Sequence, residues 1–387
     1  MAYQWNYSRI ERKLKDIINC VYLILSLFKK YNYYIVYMTS ENHSNDTYIS
    51  FNQTEKYACF GTDIGFYIYS LNPFRKILSR KIDSGVSIVK MLYESNIIIF
   101  VGKEDKGLYP NNKLIIWDDS KKTVLGEIAY NKPILNVNVT KDYIVVLVEK
   151  KIYIYKFDTL NLIKTLEVSQ HSNNLMCMGL ENPEFLVYPS EKTGMISITK
   201  LSDDYLEEIQ AHNSGIENLF VSNDGNYVIT ASETGTIIRI FNITTKEKVS
   251  EFRRGVDPTK INDIKLCHNN SILLVSSVKG TIHLYNTGID PDLNAENTSY
   301  DSYGMPLIKW ALPQYFSDKF SFTQFNLTNI STISSFDRNS STIYSFGQDG
   351  QFYELNFEDI ENPVIEKTIK YVSDENDPFS QRSSTIR

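Results

Sequence analysis

The chain of 387 residues is 42% hydrophobic and 22% charged, an ordinary globular balance with ample material for a large core. Its formal net charge of −6 argues against the broad basic footprint of general nucleic-acid binding, so any anion site must be local. Four well-separated cysteines (Cys20, Cys59, Cys177 and Cys267), with no Cys-x-x-Cys pair, fit reduced cytosolic thiols better than a disulfide framework or a zinc site.

Residues 1–46 are unlike the rest of the chain. Ile10, Leu14, Ile17, Ile18, Val21, Leu25 and Phe28 recur at helical spacing, flanked by Arg12, Lys13, Lys15, Lys29 and Lys30. The apolar run from Ile17 to Phe28 is roughly 12 residues long, whereas a membrane span needs about 20. No small-residue cleavage pattern closes it as a signal peptide. An amphipathic helix or a poorly ordered extension is expected, with a membrane anchor as the alternative.

From residue 47 to about 370 a repeat takes over. Short alternating strands rich in aromatic and β-branched residues recur: Phe66–Tyr69, Leu114–Trp117, Ile152–Tyr155, Ile196–Thr199, Ile238–Phe241, Ile282–Tyr285 and Phe352–Leu355. Apart from one longer gap, the step is roughly 38 to 48 residues, the length of a four-stranded propeller blade. Glycine turns precede several of them, as at Asp63-Ile64-Gly65 and Glu233-Thr234-Gly235. Seven such strands predict an all-β, WD40-like, seven-bladed β-propeller, although of the usual Trp-Asp signatures only Trp117-Asp118 remains. The long gap predicts an insertion at about 287–311, and the polar residues 371–387 predict a disordered tail.

One short run carries the chemistry. In Phe252-Arg253-Arg254-Gly255, at the end of a strand-like segment, the two arginines must point to opposite faces, so one motif can furnish a guanidinium to two pockets. Each guanidinium is a permanently charged fork suited to phosphate. The flanking repeats supply hydroxyls and imidazoles: His212, Ser232, Thr236 and Arg239 upstream, Ser277, Thr281 and His283 downstream. Taken singly, each is an ordinary turn or strand residue. Together they form what a multiply phosphorylated small head group requires.

The segment from Ala211 to Tyr285 resembles the PROPPIN family, the phosphoinositide-binding β-propellers of autophagy, whose hallmark is Phe-Arg-Arg-Gly. Ser50-Phe51-Asn52-Gln53, Asn112–Asp119 and Leu312–Ser317 resemble other blades of the same family, in its WIPI-type branch. The resemblance implies two phosphoinositide sites, the first using His212, Ser232, Thr236, Arg239 and Arg253, the second Arg254, Ser277, Thr281 and His283. It also implies phosphatidylinositol 3-phosphate and the 3,5-bisphosphate as ligands, on preautophagosomal, endosomal or vacuolar membranes. The end of the insertion would then enter the bilayer through Leu307, Ile308 and Trp310; the alternative is that these residues begin the next blade. An autophagy lipid-transfer protein is an implied partner, but Thr54 stands where relatives often carry an acid for docking it. The expected protein is a cytoplasmic, monomeric peripheral adaptor with no cofactor, no metal and no catalytic residues, since no nucleophile motif, metal-ligand spacing or P-loop is present. The alternative is a protein-only scaffold in which Arg253 and Arg254 pair with acids such as Asp257. Two histidines at the sites further predict tighter lipid binding at mildly acidic pH.

Overall fold

A computed structural model describes residues 48–169, 174–289, 320–327, 330–338 and 341–371. The expected N-terminal extension, the disordered tail and the membrane-inserting residues Leu307, Ile308 and Trp310 lie outside the described residues.

The described chain is all-β and forms seven four-stranded antiparallel sheets. The seven aromatic runs seen in the sequence occupy one equivalent place. They are the third strands of the blades, Gly65–Ser70, Lys113–Asp118, Lys151–Lys156, Met195–Lys200, Ile237–Asn242, Thr281–Asn286 and Gln351–Asn356. A third strand is covered on both faces by neighbouring blades, which is why it reads as a nearly continuous apolar run. The fourth strands are the outer edges and are polar: Val364–Lys370 is exposed at every residue.

Seven hydrophobic clusters hold the ring, one for each junction between successive blades. Blade 1 (Tyr48–Phe51, Tyr57–Thr62, Gly65–Ser70, Arg75–Lys81) and blade 7 (Thr332–Phe336, Thr342–Gly347, Gln351–Asn356, Val364–Lys370) are each complete, so no shared strand closes the circle. Aromatic packing closes it instead. Phe74 of blade 1 stacks on Phe352 of blade 7 with ring centroids 3.9 Å apart, and Tyr69 Oη donates to Tyr371 O at 3.0 Å.

Around the central channel, side chains of the innermost strands bond to the backbone of the next blade. Ser50 Oγ donates to Val89 O at 2.6 Å, Asn138 to Met176 O at 2.7 Å, and Asn218 to Asn262 O at 3.1 Å. These bonds satisfy inward-facing polar groups and fix the angular spacing of the blades.

Candidate functional site

Blade 5 consists of Ile216–Val221, Tyr227–Ser232, Ile237–Asn242 and Lys248–Arg253, so Arg253 is the last residue of an outer strand and Arg254 begins the connection to blade 6. Phe252 is wholly buried in the cluster between blades 5 and 6. Strand alternation therefore turns Glu251 and Arg253 toward blade 4. Ile238 and Ile240 share the Phe252 cluster, and Phe241 lies in the cluster with blade 4. Arg239 accordingly faces blade 4 as well. Ile229 and Ala231 face blade 6, which leaves Thr230 and Ser232 on the blade 4 side.

The seam between blades 4 and 5 thus gathers His212, Thr230, Ser232, Arg239, Glu251 and Arg253. His212 Nε2 meets Thr230 Oγ1 at 2.9 Å. Arg239 donates from Nε to Glu251 Oε2 at 2.8 Å and from a terminal nitrogen to Ala211 O at 2.6 Å, stapling blade 5 to the end of blade 4. Lys248 Nζ reaches the same Glu251 oxygen at 2.7 Å. Burial works against ionisation of Glu251, but Lys248 and Arg239 outweigh it and hold the carboxyl below its ordinary value. Ser232 Oγ is spent on Thr234 Oγ1 at 2.9 Å, and Thr236 lies at the turn, where its carbonyl accepts the Arg254 N–H at 2.9 Å.

Blade 6 repeats the arrangement one step around the ring. In blade 5 Arg239 is paired across strands with Thr230, and in blade 6 His283 is paired with Val275. The two residues hold equivalent third-strand positions. Leu273, Val275 and Tyr285 pack toward blade 5, so Ser277, Thr281 and His283, an even number of residues from them along their strands, face the same seam. Ser277 Oγ and Thr281 Oγ1 lie 2.9 Å apart, and His283 Nδ1 is 3.2 Å from Ser321 Oγ. Arg254 belongs to this second seam: its charge acts on both His283 and Tyr285.

Two glycines make the placement possible. Gly235 has φ +60°, and a Cβ there would lie 1.8 Å from Thr259 O. The close approach lets Gly235 O accept from Arg254 Nε at 3.1 Å. Gly194, at φ +75°, similarly abuts His212 O and accepts the His212 N–H at 2.9 Å. Gly255 is different, because it needs neither a positive φ nor close packing: a Cβ would meet nothing within 4 Å.

The electrostatics correct one expectation. Burial, helped by the Arg239 charge, lowers His212 to about 4; burial and the Arg254 charge do the same at His283. Both imidazoles are neutral at pH 6 as at pH 8, so acidification over that range adds no charge to either seam. The alternative reading, in which Arg254 pairs with an acid such as Asp257, is not what the side chain does. Arg254 donates to two backbone carbonyls, Gly235 O and Asp257 O at 2.5 Å, which fix the fork without neutralising it. Burial lowers the Arg254 pKa from its ordinary value, with Tyr285 and Asp257 opposing it only in part.

Sequence reasoning did not single out Thr230, Glu251, Lys248, Tyr285 or Ser321. Two of these were within reach of strand alternation: Thr230 lies two residues before Ser232, and Glu251 two before Arg253. Ser321 comes beside His283 only through the fold, 38 residues on.

Comparisons with known proteins agree on one family. The PROPPIN family model matches residues 46–347. The chain is similar to autophagy-related protein 18e of Arabidopsis thaliana, with 30% identity over 84% of this chain and 87% of the relative. It is also similar to SVP1-like protein 2 of Schizosaccharomyces pombe, with 30% identity over 66% and 71%. Among solved structures, Kluyveromyces lactis Hsv2 superposes with a TM-score of 0.67 at 24% identity, covering 85% of this chain and 100% of that one. KlAtg21, solved in complex with the coiled-coil of AgAtg16, gives 0.66 at 22%, covering 84% and 98%. At those identities the likeness to solved structures concerns the fold. The family match spans most of the propeller and the Arabidopsis relative covers most of the chain, and the chain therefore belongs to the PROPPIN family of autophagy-related β-propellers.

Proposed function

We propose that this protein is a non-enzymatic peripheral membrane adaptor that binds phosphatidylinositol 3-phosphate or the 3,5-bisphosphate through two seams of its rim. The observation that carries this reading is the splitting of one arginine pair. Arg253 faces the blade 4–5 seam, where His212, Ser232 and Arg239 stand, and Arg254 faces the blade 5–6 seam with Ser277, Thr281 and His283. Carbonyl-held Arg254 keeps its charge available for a phosphate, which makes the protein-only alternative the weaker one. Neutral imidazoles and hydroxyls then serve as donors around the head group. Membership of an autophagy-related family supports preautophagosomal, endosomal or vacuolar membranes as the site of action. The solved complex of KlAtg21 with a coiled-coil supports a helical protein segment as the kind of partner an adaptor of this fold would recruit.

Liposome flotation with and without phosphatidylinositol 3-phosphate tests the reading. The native chain is expected to float selectively, and the Arg253→Thr/Arg254→Thr variant, still folded by thermal unfolding, is expected to stay in the bottom fraction. Equal flotation of both proteins, or none by either, would overturn the lipid role.

A further inference from the structure

The turn joining the first two strands of blade 1, residues 52–56, reaches over the axis of the ring. Gln53 Nε2 donates to Val139 O of blade 3 at 2.9 Å, and its Oε1 accepts Tyr93 N of blade 2 at 2.7 Å. Asn52 Nδ2 donates to Tyr93 O at 2.7 Å. Glu55 points the other way, into the fields of Lys265 on blade 6 and of Asp337 and Arg338 on blade 7. A single turn touching blades on both sides can only lie at the mouth of the channel. Arg338, which pairs with Glu181 of blade 4, crosses the same mouth.

Glu55 is out of place by every ordinary criterion. It is only 8% exposed, and its Oε2 has no hydrogen-bond partner. Its backbone is left-handed, with φ 59°, a conformation that disfavours side chains larger than glycine. Ser335 Oγ of blade 7 faces the carboxyl but lies outside hydrogen-bonding geometry and is itself unpartnered. The cations around it are engaged elsewhere: Arg338 with Glu181, Lys265 with Asp263 at 4.0 Å and over the Phe220 ring at 4.9 Å, and Lys56 with Glu94 at 2.9 Å. Asp337 adds a like charge. Burial, only partly opposed by Lys265, Ser335 and Arg338, pushes the Glu55 carboxyl up from 4.5 to about 7. Two cations already within its field make Glu55 a poor seat for a further cationic ligand, so a proton is the natural occupant.

We propose that Glu55 is a proton-operated latch on the seam between blades 7 and 1. As the neutral acid, its hydroxyl donates to Ser335 Oγ, satisfying both orphaned atoms and holding the turn down over the channel. As the carboxylate, it is a buried charge with no ion pair among the described residues, helped by the Ser335 hydroxyl, and the turn relieves it by swinging outward and releasing the left-handed backbone. The latch sits where it has most effect, at the one closure of the ring between chain ends, which no shared strand secures.

The folded carboxyl holds its proton to a higher pH than the unfolded one. The stability contributed by that proton is therefore complete below about pH 4.5 and lost as pH rises through about 7. The test is unfolding of the full chain from pH 5 to 8, native against Glu55→Gln. The native unfolding constant is expected to rise relative to the variant between pH 5 and 8, by on the order of a hundredfold at full ionisation. Hydrogen exchange in residues 52–57 and 332–337 should rise with it, again relative to the variant. Parallel pH profiles for the two proteins would overturn the latch. Should the variant not fold, carbon-13 NMR of glutamate-labelled native protein decides the matter: one carboxyl titrating near pH 7 supports the latch, and none titrating above pH 6 rejects it.

Discussion

Residue by residue, the two rim seams are built from groups that stay neutral, apart from their arginines, lysines and the ionised Glu251. That has a testable consequence for pH. His212 and His283 start from about 4, so even the upward pull of a bound phosphate begins well below the physiological range. The ligand titrates instead: a phosphomonoester takes its second proton near pH 6 and loses charge as it does so. Affinity for the soluble head group, inositol 1,3-bisphosphate, is therefore expected to be level from pH 8 to 7 and to fall toward pH 6. Calorimetry at the three values checks it, and a gain at pH 6 would show that an imidazole charges on binding. The sequence pointed to the histidines correctly as neighbours of the arginines but misjudged their ionisation, because burial is a property of packing. Nothing in Ala211-His212 says that Gly194 O will take the His212 N–H or that Thr230 will meet the ring.

At the scale of elements, the repeat was legible because third strands are covered on both faces and so keep one composition in every blade. First strands were harder to see. They face the channel with polar residues such as Asn136, Asn138 and Asn218, whose partners are carbonyls of the next blade. Outer strands such as Val364–Lys370 carry little burial signal. The turns between strands hold the sharpest contrast. Gly235 is fixed by its backbone angle and by Thr259 O, whereas Gly255 is constrained by nothing in the fold. Gly235→Ala is expected to destabilise the protein by about 1–3 kcal/mol, since it combines a left-handed side chain with a backbone clash. It should weaken the second seam too, because Arg254 Nε loses its carbonyl. Gly255→Leu should leave stability within about 0.5 kcal/mol, as is usual for surface changes, yet reduce flotation by crowding the approach to both arginines. Thermal unfolding beside flotation separates the two effects. A Gly255→Leu protein that floats normally would show that the space beside the arginines is not used.

For the whole molecule, what matters is that both seams belong to one rigid ring. Cores on either side of blade 5 bury Phe252 and Phe241, so the spacing of Arg253 from Arg254 cannot relax as a flexible linker would. On the proposed lipid reading, two head groups in one bilayer would engage one body, and the second contact would form at high effective concentration once the first is made. This predicts a divergence between soluble and membrane assays. Against soluble inositol 1,3-bisphosphate, Arg253→Thr or Arg254→Thr alone should halve the number of sites and leave the affinity of the remaining one within about twofold, because sites with no shared partner act independently. Against vesicles carrying phosphatidylinositol 3-phosphate, either single change should reduce binding by roughly 10- to 100-fold, since it removes the intramolecular step. The double variant should lose the remaining single-site binding on vesicles as well as both soluble sites. Equal single-variant losses in the two assays would mean that the seams do not act together on a surface. Loss of both soluble sites from one substitution would mean that the arginines form a single pocket, and the division of labour across blade 5 would have to be abandoned.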